Sequence, residues 1–117
     1  MQITEVTTNR DKKEFHDFPR WLYRNDPCWV CPLDTEIEGI FDPAKNLTFR
    51  QGVATRWILK DDNGKTIGRV AAFIDNVRSA AQKQPTGGMG FFEVIEDKGA
   101  AFLLFGTAKE WLSERGM

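Results

Sequence analysis

The pattern of hydrophobic and polar positions along the chain predicts four β-strands. Residues 2–8 alternate and are rich in β-branched side chains, and residues 53–60 alternate in the same way. Residues 65–75 follow after Asp61-Asp62-Asn63-Gly64, whose Asn-Gly pair is typical of a hairpin turn. Residues 89–96 form the last predicted strand. We therefore expect a β-hairpin over the second and third strands, with the fourth strand beside it.

Helical spacing predicts two short helical segments near the N-terminus. Apolar residues recur at this spacing within residues 10–25, and either Thr8 or Asn9 suits the position before a helix. Pro19 lacks a backbone N–H and breaks a helix when it lies inside one. We therefore expect two segments that meet near Phe18.

A third helical pattern spans residues 100–115, after a tight turn at Asp97-Lys98-Gly99. Gly106 within this helix is expected to allow close packing on the sheet, and Gly116 suits the position after a helix end. The predicted apolar face consists of Ala101, Leu104, Phe105, Ala108, Trp111 and Leu112. The predicted order is β-α-α-β-β-β-α, which we interpret as an α+β fold with a mostly antiparallel sheet.

Two connecting segments are less regular. Residues 26–52 are rich in proline but too apolar for a free linker, so we expect an ordered excursion with one helical turn. This excursion either covers the core or lines a pocket. Residues 76–88 are polar and predict a mobile loop. Gly68 in the third strand predicts a bulge or a close approach of two backbones.

Composition and charge narrow the possible functions. The 117 residues carry a formal net charge of -1, and 28% of them are charged. This length suits one domain. The sequence lacks the clusters of Lys and Arg that are typical of proteins that bind nucleic acid. No segment is typical of a signal peptide or a membrane span. We expect a cytoplasmic domain with no nucleic-acid and no membrane partner.

Cys28 and Cys31 form a Cys-Trp-Val-Cys motif that has three interpretations. A structural zinc site needs about four ligands, and His16 is the sole histidine of the chain, so one chain lacks a ligand and we predict no metal. A redox pair is typical of a strand-to-helix junction, whereas Pro27 and Pro32 place this motif in a loop. The third interpretation, two partly buried thiols that pack as small apolar groups, is the one we expect.

Three segments together resemble one protein family. They are residues 18–33 (Phe-Pro-Arg-Trp-Leu-Tyr-Arg-Asn-Asp-Pro-Cys-Trp-Val-Cys-Pro-Leu), the hairpin at Asp61 to Gly64, and residues 90–95 (Gly-Phe-Phe-Glu-Val-Ile). Over essentially its whole length the chain resembles the N-terminal half of GNAT (N-acetyltransferase) superfamily proteins of unknown substrate. The resemblance implies a partial GNAT-like fold, with residues 1–117 as a single truncated domain. It also implies the N-terminal part of a CoA-dependent N-acyltransferase.

The resemblance further implies a cofactor site, for acetyl-CoA or another acyl-CoA, where the fourth strand leads into the last helix. The family's turn of backbone amides, which binds pyrophosphate, corresponds to residues 96–101. The cofactor-binding residues that it implies are Val94, Ile95, Lys98, Gly99, Ala100 and Ala101. Gly99 and Ala101 match the family pattern, and Glu96 departs from it. A carboxylate beside a pyrophosphate is unfavourable, and this departure favours an alternative, a non-catalytic module used for interaction or assembly.

Glu93 is the catalytic candidate that the resemblance implies, because the family often places a glutamate base on or near the fourth strand. Burial would have to raise its pKa for work near neutral pH. The alternative is that Glu93 points to solvent on an alternating strand. We expect Tyr23 to serve packing. Arg56 and Arg69 either bind an acidic substrate or form cross-strand charge pairs, and the second is expected.

The family fold continues beyond the helix that ends this chain. Without a further strand, the strand at residues 89–96 would present unpaired backbone groups along one edge. We therefore expect either a homodimer formed through this exposed sheet edge, or a chain that is a fragment of a longer protein.

Overall fold

The elements follow the predicted order in the computed structural model, which describes residues 1–46, 52–77 and 87–117. They are β1 (Gln2–Glu5), α1 (Asn9–Leu22), α2 (Asp34–Phe41), β2 (Gly52–Lys60), β3 (Thr66–Asp75), β4 (Gly88–Val94) and α3 (Lys98–Glu114). The fold is thus α+β with the order β-α-α-β-β-β-α, as predicted. Within the described residues, each helix falls short of the length and apolarity that crossing a membrane requires.

One antiparallel sheet with the strand order β1-β2-β3-β4 forms the centre of the fold. The β2–β3 turn has Gly64 at φ +80°, and the Gly64 N–H donates to the Asp61 carbonyl at 3.0 Å. The Asp61 carboxylate accepts from the N–H groups of Asn63 and Lys65. The hairpin prediction is confirmed.

The helices cover both faces of this sheet. α3 packs on one face, over a core formed by Trp57, Leu59, Ile67, Val70, Ala72, Ile74, Ala100, Leu104, Ala108 and Trp111. A second core of Phe15, Ile37 and Ile58 lies on the other face, beneath α1 and α2. Successive residues of a strand point to opposite faces, so β2 supplies Trp57 and Leu59 to the first core and Ile58 to the second.

Gly68 lies where α3 approaches the sheet. A Cβ atom at this position would lie 2.6 Å from Cδ1 of Leu104 and 3.1 Å from Cγ2 of Val94. The β2–β3 register also shifts next to Gly68, between the pairs Leu59–Gly68 and Lys60–Thr66. The predicted bulge is present, and the close neighbour of Gly68 is the Leu104 side chain of α3 instead of a second backbone.

The predicted break of α1 at Pro19 is wrong, because the helix runs unbroken from Asn9 to Leu22. Pro19 leaves the carbonyl of Phe15 without its helical donor. The Arg69 guanidinium supplies the missing bond from β3, with Nη1 2.9 Å from the Phe15 oxygen. Thr8 is the N-cap and forms a capping box with Asp11. A tertiary contact therefore satisfies the carbonyl that the proline leaves free.

The second helix of the order lies in a different segment from the one predicted. It is α2, within the 26–52 segment where we expected a single helical turn. Ile37 is its buried residue and joins the core under α1. The expectation of an ordered excursion holds for residues 26–46, and residues 47–51 lie outside the described residues.

α3 begins earlier than predicted, at Lys98, so Lys98 and Gly99 belong to its first turn. Gly106 is exposed, and a Cβ atom there would meet nothing within 4 Å, so its predicted role in close packing is wrong. Gly116 has φ +82° after the helix, as expected. The predicted loop at residues 76–88 falls mostly on residues 78–86, outside the described residues.

Candidate active site at the bulge of β4

β4 contains a bulge at Phe91 and Phe92. Arg69 pairs with Glu93 and Ala71 with Gly90, so β4 advances three residues while β3 advances two. Phe91 has φ +50°, and it is the one non-glycine with a positive φ among the described residues. Bulges re-aim the side chains of a strand and are frequent next to active sites. This bulge lies two residues before Glu93.

Glu93 points to the inside of the fold, with 17% of its side chain exposed. Its Oε1 lies 2.5 Å from Nη2 of Arg69, which is its cross-strand partner. Burial lowers the pKa of Arg69, although the bond to Glu93 opposes this effect. Glu93 therefore does not face solvent, and the cross-strand pairing expected for Arg69 is confirmed.

Tyr23 joins this pair from the C-terminal end of α1. Interaction of its hydroxyl with the Glu93 carboxylate, together with burial, raises the pKa of Tyr23 above its ordinary value of 10.0. The Tyr23 ring also stacks on Trp29, with the ring centroids 5.4 Å apart. The sequence analysis assigned Tyr23 to packing and missed its contact with Glu93, because nothing in the linear spacing of the two residues indicates it.

Two buried guanidinium groups lie under α1. Arg56 and Arg69 are 4.9 Å and 4.6 Å from the centroid of the Phe15 ring. The carboxylate partner of Arg56 is Glu38 of α2, with Nη2 2.7 Å from Oε1. The prediction that Arg56 forms a cross-strand charge pair is therefore wrong. Both arginines are committed to internal pairs.

Glu38 also receives a bond from His16, whose Nε2 is 2.9 Å from Oε2. Partial burial works to raise the pKa of Glu38, but the bonds from Arg56 and His16 outweigh it, and the pKa lies below its ordinary value. These three residues line a cavity of about 720 Å³ between α1, α2 and β2. The sequence analysis missed this cluster, since its members come from three separate segments.

The amide turn that the resemblance implied lies at the start of α3. Asp97 is the N-cap, and its Oδ1 accepts from the Ala100 N–H at 3.0 Å. Its backbone carbonyl accepts from Ala101. Lys98 and Gly99 are exposed in the first helical turn. A phosphate at this helix end must therefore displace the Asp97 carboxylate to reach the Ala100 N–H.

The sheet separates two groups of predicted site residues. Glu93 points toward Phe15 and α1 through its bond to Arg69, whereas Val94 and Ile95 pack against the core under α3. Ile95 also donates its N–H to Ile67 at 3.0 Å. The candidate base and the candidate phosphate cradle are thus close in sequence and lie on opposite faces of β4.

A groove of about 530 Å³ lies beside β4 and the outer side of α3. It is lined mainly by apolar residues, which include Met89, Phe102 and Phe105. These three side chains are exposed. Among the described residues, no strand pairs with the outer edge of β4. An unpaired strand edge and an apolar groove therefore lie side by side.

The two cysteines are free and exposed, so the predicted role as partly buried packing groups is wrong. Cys31 Sγ accepts from Arg20 Nε at 3.1 Å. In the part of the chain that the structure describes, no three His, Cys, Asp or Glu side chains are grouped to hold a metal ion.

A solved structure has the same architecture. It is a tandem GNAT protein from the clavulanic acid biosynthesis pathway, which superposes on 98% of this chain with a TM-score of 0.71 and 15% sequence identity. The chain has a GNAT-like fold. The match covers 34% of the tandem protein, and at this identity the likeness shows the fold alone.

Two curated proteins are similar in sequence. Protein YghO of Escherichia coli K12 is 34% identical over 97% of this chain. A protein named bacterial ceramide synthase, from Caulobacter vibrioides, is 33% identical over 99% of this chain. The chain spans 29% and 30% of the lengths of these two relatives. No known protein-family profile matches the chain.

Proposed function

We propose that this chain forms part of a CoA-dependent N-acyltransferase in which Glu93 accepts a proton from an amine. The GNAT-like fold and the likeness to a protein named ceramide synthase support this function. The observation that carries the proposal is the inward position of Glu93 next to the β4 bulge, where its carboxylate is bonded to Arg69. An amine must lose its proton before it attacks an acyl carbonyl, and a positioned carboxylate serves this purpose.

Arg69 and Tyr23 are positioning residues in this proposal. Arg69 is anchored by its bond to the Phe15 carbonyl and holds one oxygen of Glu93. The Tyr23 hydroxyl interacts with the same carboxylate. The bond from the anchored Arg69 restricts the rotation of the Glu93 side chain, so an incoming amine would meet a carboxylate of fixed orientation.

A bound acyl-CoA would supply an activated thioester. The residues that would hold its phosphates are Lys98, Gly99, Ala100 and Ala101, at the N-terminus of α3. Their backbone amides and the positive end of the helix dipole favour anions, and Lys98 adds a positive charge. Val94 and Ile95 would line the approach at the end of β4. Asp97 would have to rotate away from the Ala100 N–H.

The acyl group and the amine are proposed to be long-chain, because the product named for one relative, ceramide, is an amide lipid. Titration calorimetry with acetyl-CoA, palmitoyl-CoA and free CoA tests this choice. We expect saturable heat with all three ligands and the tightest binding with palmitoyl-CoA. Absence of saturable binding by the intact chain would contradict a cofactor site at α3.

Paired variants locate the cofactor site. Lys98→Ala should weaken binding several-fold, because it removes a charge from the helix end, whereas Lys109→Ala on the outer side of α3 should not. Asp97→Ala frees the Ala100 N–H and removes a negative charge, so it should tighten binding. If Lys98→Ala and Lys109→Ala behave alike, the phosphates do not bind at this turn.

Glu93 is tested by the release of the CoA thiol during acylation of a long-chain amine. Glu93→Gln should lower the rate by about 10²–10⁴, which is typical of losing a general base. Glu110→Gln, at an exposed position of α3 away from the amide turn, is the control and should keep the rate. Equal rates for both variants would remove Glu93 from the mechanism.

A second function, a non-catalytic module that self-associates, is favoured by a different observation. The outer edge of β4 lies beside the apolar groove that contains Met89, Phe102 and Phe105. A second copy of the chain would cover both features at once, as a homodimer formed through the sheet edge. The Asp97 carboxylate at the α3 N-terminus also favours this module, since it occupies the place of a phosphate.

A further inference from the structure

We propose that Cys28 and Cys31 form a reversible intramolecular disulfide by exchange with a small-molecule disulfide such as oxidised glutathione, with Cys31 as the attacking thiol. Formation of the disulfide does not require the proposed acyltransfer, although it would affect the neighbouring Tyr23. Both thiols are exposed, so a small disulfide can reach either sulfur. They are separated by two residues, a spacing that permits closure into one ring.

Arg20 distinguishes the two cysteines. Its Nε–H donates to Cys31 Sγ at 3.1 Å, while Cys28 Sγ has no such contact among the described residues. A thiolate is the attacking species in disulfide exchange, and a neighbouring arginine stabilises it. Hydrogen bonds to Asp34 and Cys31 raise the pKa of Arg20. The charge that faces Cys31 is therefore permanent.

Two carboxylates share the same guanidinium. Asp34 Oδ1 is 2.5 Å from Nη2, and Asp17 Oδ1 is 3.2 Å from Nη1. They hold the plane of the guanidinium in place and leave Nε–H for the sulfur. Both are anchored, since Asp17 lies in α1 and Asp34 is the first residue of α2. Arg20 is thus a fixed donor at the position of Cys31.

The exchange proceeds in two steps. The Cys31 thiolate attacks one sulfur of oxidised glutathione, the glutathione disulfide breaks, and one glutathione leaves as a thiolate that takes a proton from water. Cys28 loses its proton to water and attacks Cys31 Sγ, which releases the second glutathione. Two protein thiols are oxidised and one glutathione disulfide is reduced to two thiols.

Closing the ring would hold the two sulfurs at bonding distance and constrain the segment between the cysteines. In the part of the chain that the structure describes, no hydrogen-bonded turn spans residues 28–31, and the turn that is present joins Trp29 N–H to the Asp26 carbonyl. Trp29 lies inside the ring that would form, and its side chain stacks on Tyr23. Oxidation should therefore disturb the Tyr23–Trp29 stack, and through it the bond of Tyr23 to Glu93.

Mass spectrometry in glutathione buffers of increasing oxidation tests the disulfide. We expect the mass to fall by two hydrogens, without a glutathione adduct, and to return after treatment with dithiothreitol. Cys28→Ser should instead accumulate one glutathione on Cys31. A wild-type chain that keeps both thiols in the most oxidised buffer, or ends with a glutathione on each cysteine, would overturn the proposal.

The attacking role of Cys31 is tested by initial rates of reaction with oxidised glutathione. Arg20→Gln should slow the reaction several-fold, and Arg20→Lys should retain most of the rate because it keeps the charge. Arg24→Gln is the matched control, since Arg24 lies over the Trp21 ring and not beside a cysteine. Equal rates for Arg20→Gln and Arg24→Gln would exclude the assignment to Cys31.

Tryptophan fluorescence tests whether oxidation of the two cysteines changes the surroundings of Trp29. Oxidation should change the emission of the wild-type chain, and this change should disappear in Trp29→Phe. A change of equal size in Trp29→Phe would show that the ring closes without moving Trp29 and would contradict the coupling.

Discussion

At the scale of single residues, Arg69 connects the features that define the candidate site. Its Nη1 completes the hydrogen bonding of α1 at the Phe15 carbonyl, and its Nη2 holds Glu93. Its guanidinium lies over the Phe15 ring at 4.6 Å and the Phe91 ring at 5.4 Å. Planar stacking and several donors on one group are properties of arginine that lysine lacks. One buried side chain thus links α1, β3 and β4.

The ionisation of Tyr23 is the most direct test of its bond to Glu93. Tyr23 is the sole tyrosine of the chain, so its absorbance on deprotonation is an unmixed signal. We expect its pKa to lie above the ordinary 10.0, because the bond to Glu93 and burial both favour the neutral hydroxyl. The stability that this shift contributes is present below about pH 10 and is lost as the pH rises through the folded-state pKa.

Glu93→Gln should return the Tyr23 pKa toward 10.0. Asp26→Asn is the control, because Asp26 makes a smaller charge contribution to the same shift. The pKa is measured by spectrophotometric titration of the folded protein. An unchanged titration in Glu93→Gln would contradict the hydrogen bond.

Glu38 should make the stability of the fold sensitive to acid. Its folded-state pKa lies below the ordinary 4.5, through the bonds from Arg56 and His16 that outweigh burial. The resulting stability is complete above about pH 4.5 and is lost as the pH falls through the lowered pKa. Urea unfolding between about pH 6 and pH 3 should therefore show a smaller loss of free energy in Glu38→Gln than in wild type.

Glu36→Gln is the matched control for this experiment, because Glu36 lies on the same helix and is exposed. Its pH dependence should follow that of wild type. If Glu38→Gln also follows wild type, the pairing of α2 with Arg56 and His16 does not persist in solution.

At the scale of elements, α1 depends on the sheet for its continuity. Arg69→Met should destabilise the fold by about 3–5 kcal/mol, because it leaves the Glu93 carboxylate without its partner. It also leaves the Phe15 carbonyl without its donor. Pro19→Ala restores a backbone N–H that can bond to this carbonyl, so the cost of Arg69→Met should be about 1 kcal/mol smaller in the Pro19→Ala background.

Pro43→Ala provides the control, because Pro43 is exposed and lies outside α1. The effects of Pro43→Ala and Arg69→Met should add. Chemical denaturation of the single and double variants gives the coupling energy. Additivity of Pro19→Ala with Arg69→Met would mean that Arg69 does not replace the missing helical bond.

At the scale of the whole molecule, the unpaired outer edge of β4 is the surface through which we expect a second copy of the chain to associate. If a second copy pairs with this edge, light scattering should show a mass that rises with concentration toward twice that of the chain. Met89→Lys places a charge on β4 beside the apolar groove and should keep the mass at that of one chain. Val53→Lys is the control, since Val53 is exposed on β2, and β3 lies between β2 and β4 in the sheet. A constant monomer mass for the wild-type chain would contradict association through this edge.

The two faces of the sheet carry different kinds of side chains. The α1–α2 face holds the buried charges, which are Arg56, Arg69, Glu38 and Glu93 with His16 and Tyr23. The α3 face is apolar in its core. β4 contributes to both faces by the alternation of its side chains, since Phe91 and Glu93 lie toward α1 and Phe92 and Val94 pack against the core under α3. β4 is therefore the strand at which the two halves of the proposed site meet.

Sequence patterns predicted the strand order well because the signals are local. The Asn-Gly turn, the alternation in β2 and β3, and the Thr8 cap each involve a few neighbouring residues. Several predictions that required knowledge of distant partners were wrong, although the cross-strand pair of Arg69 was confirmed. Pro19 did not break α1, since Arg69 replaces the lost bond, and Gly106 faces solvent instead of the sheet. The cysteines are exposed because their loop extends away from both cores.

Local chemistry in the sequence was enough to determine the four strands, the last helix and the placement of Glu93 on the last strand, but not the extent of α1 or the position of α2. Tertiary structure alone decided that Glu93 points inward, that Arg69 bonds to it, and that Asp97 caps the N-terminus of α3. The physical reason is the range of the interactions. Turn, cap and strand preferences act between neighbours in sequence, whereas burial and charge pairing depend on residues that folding alone brings together.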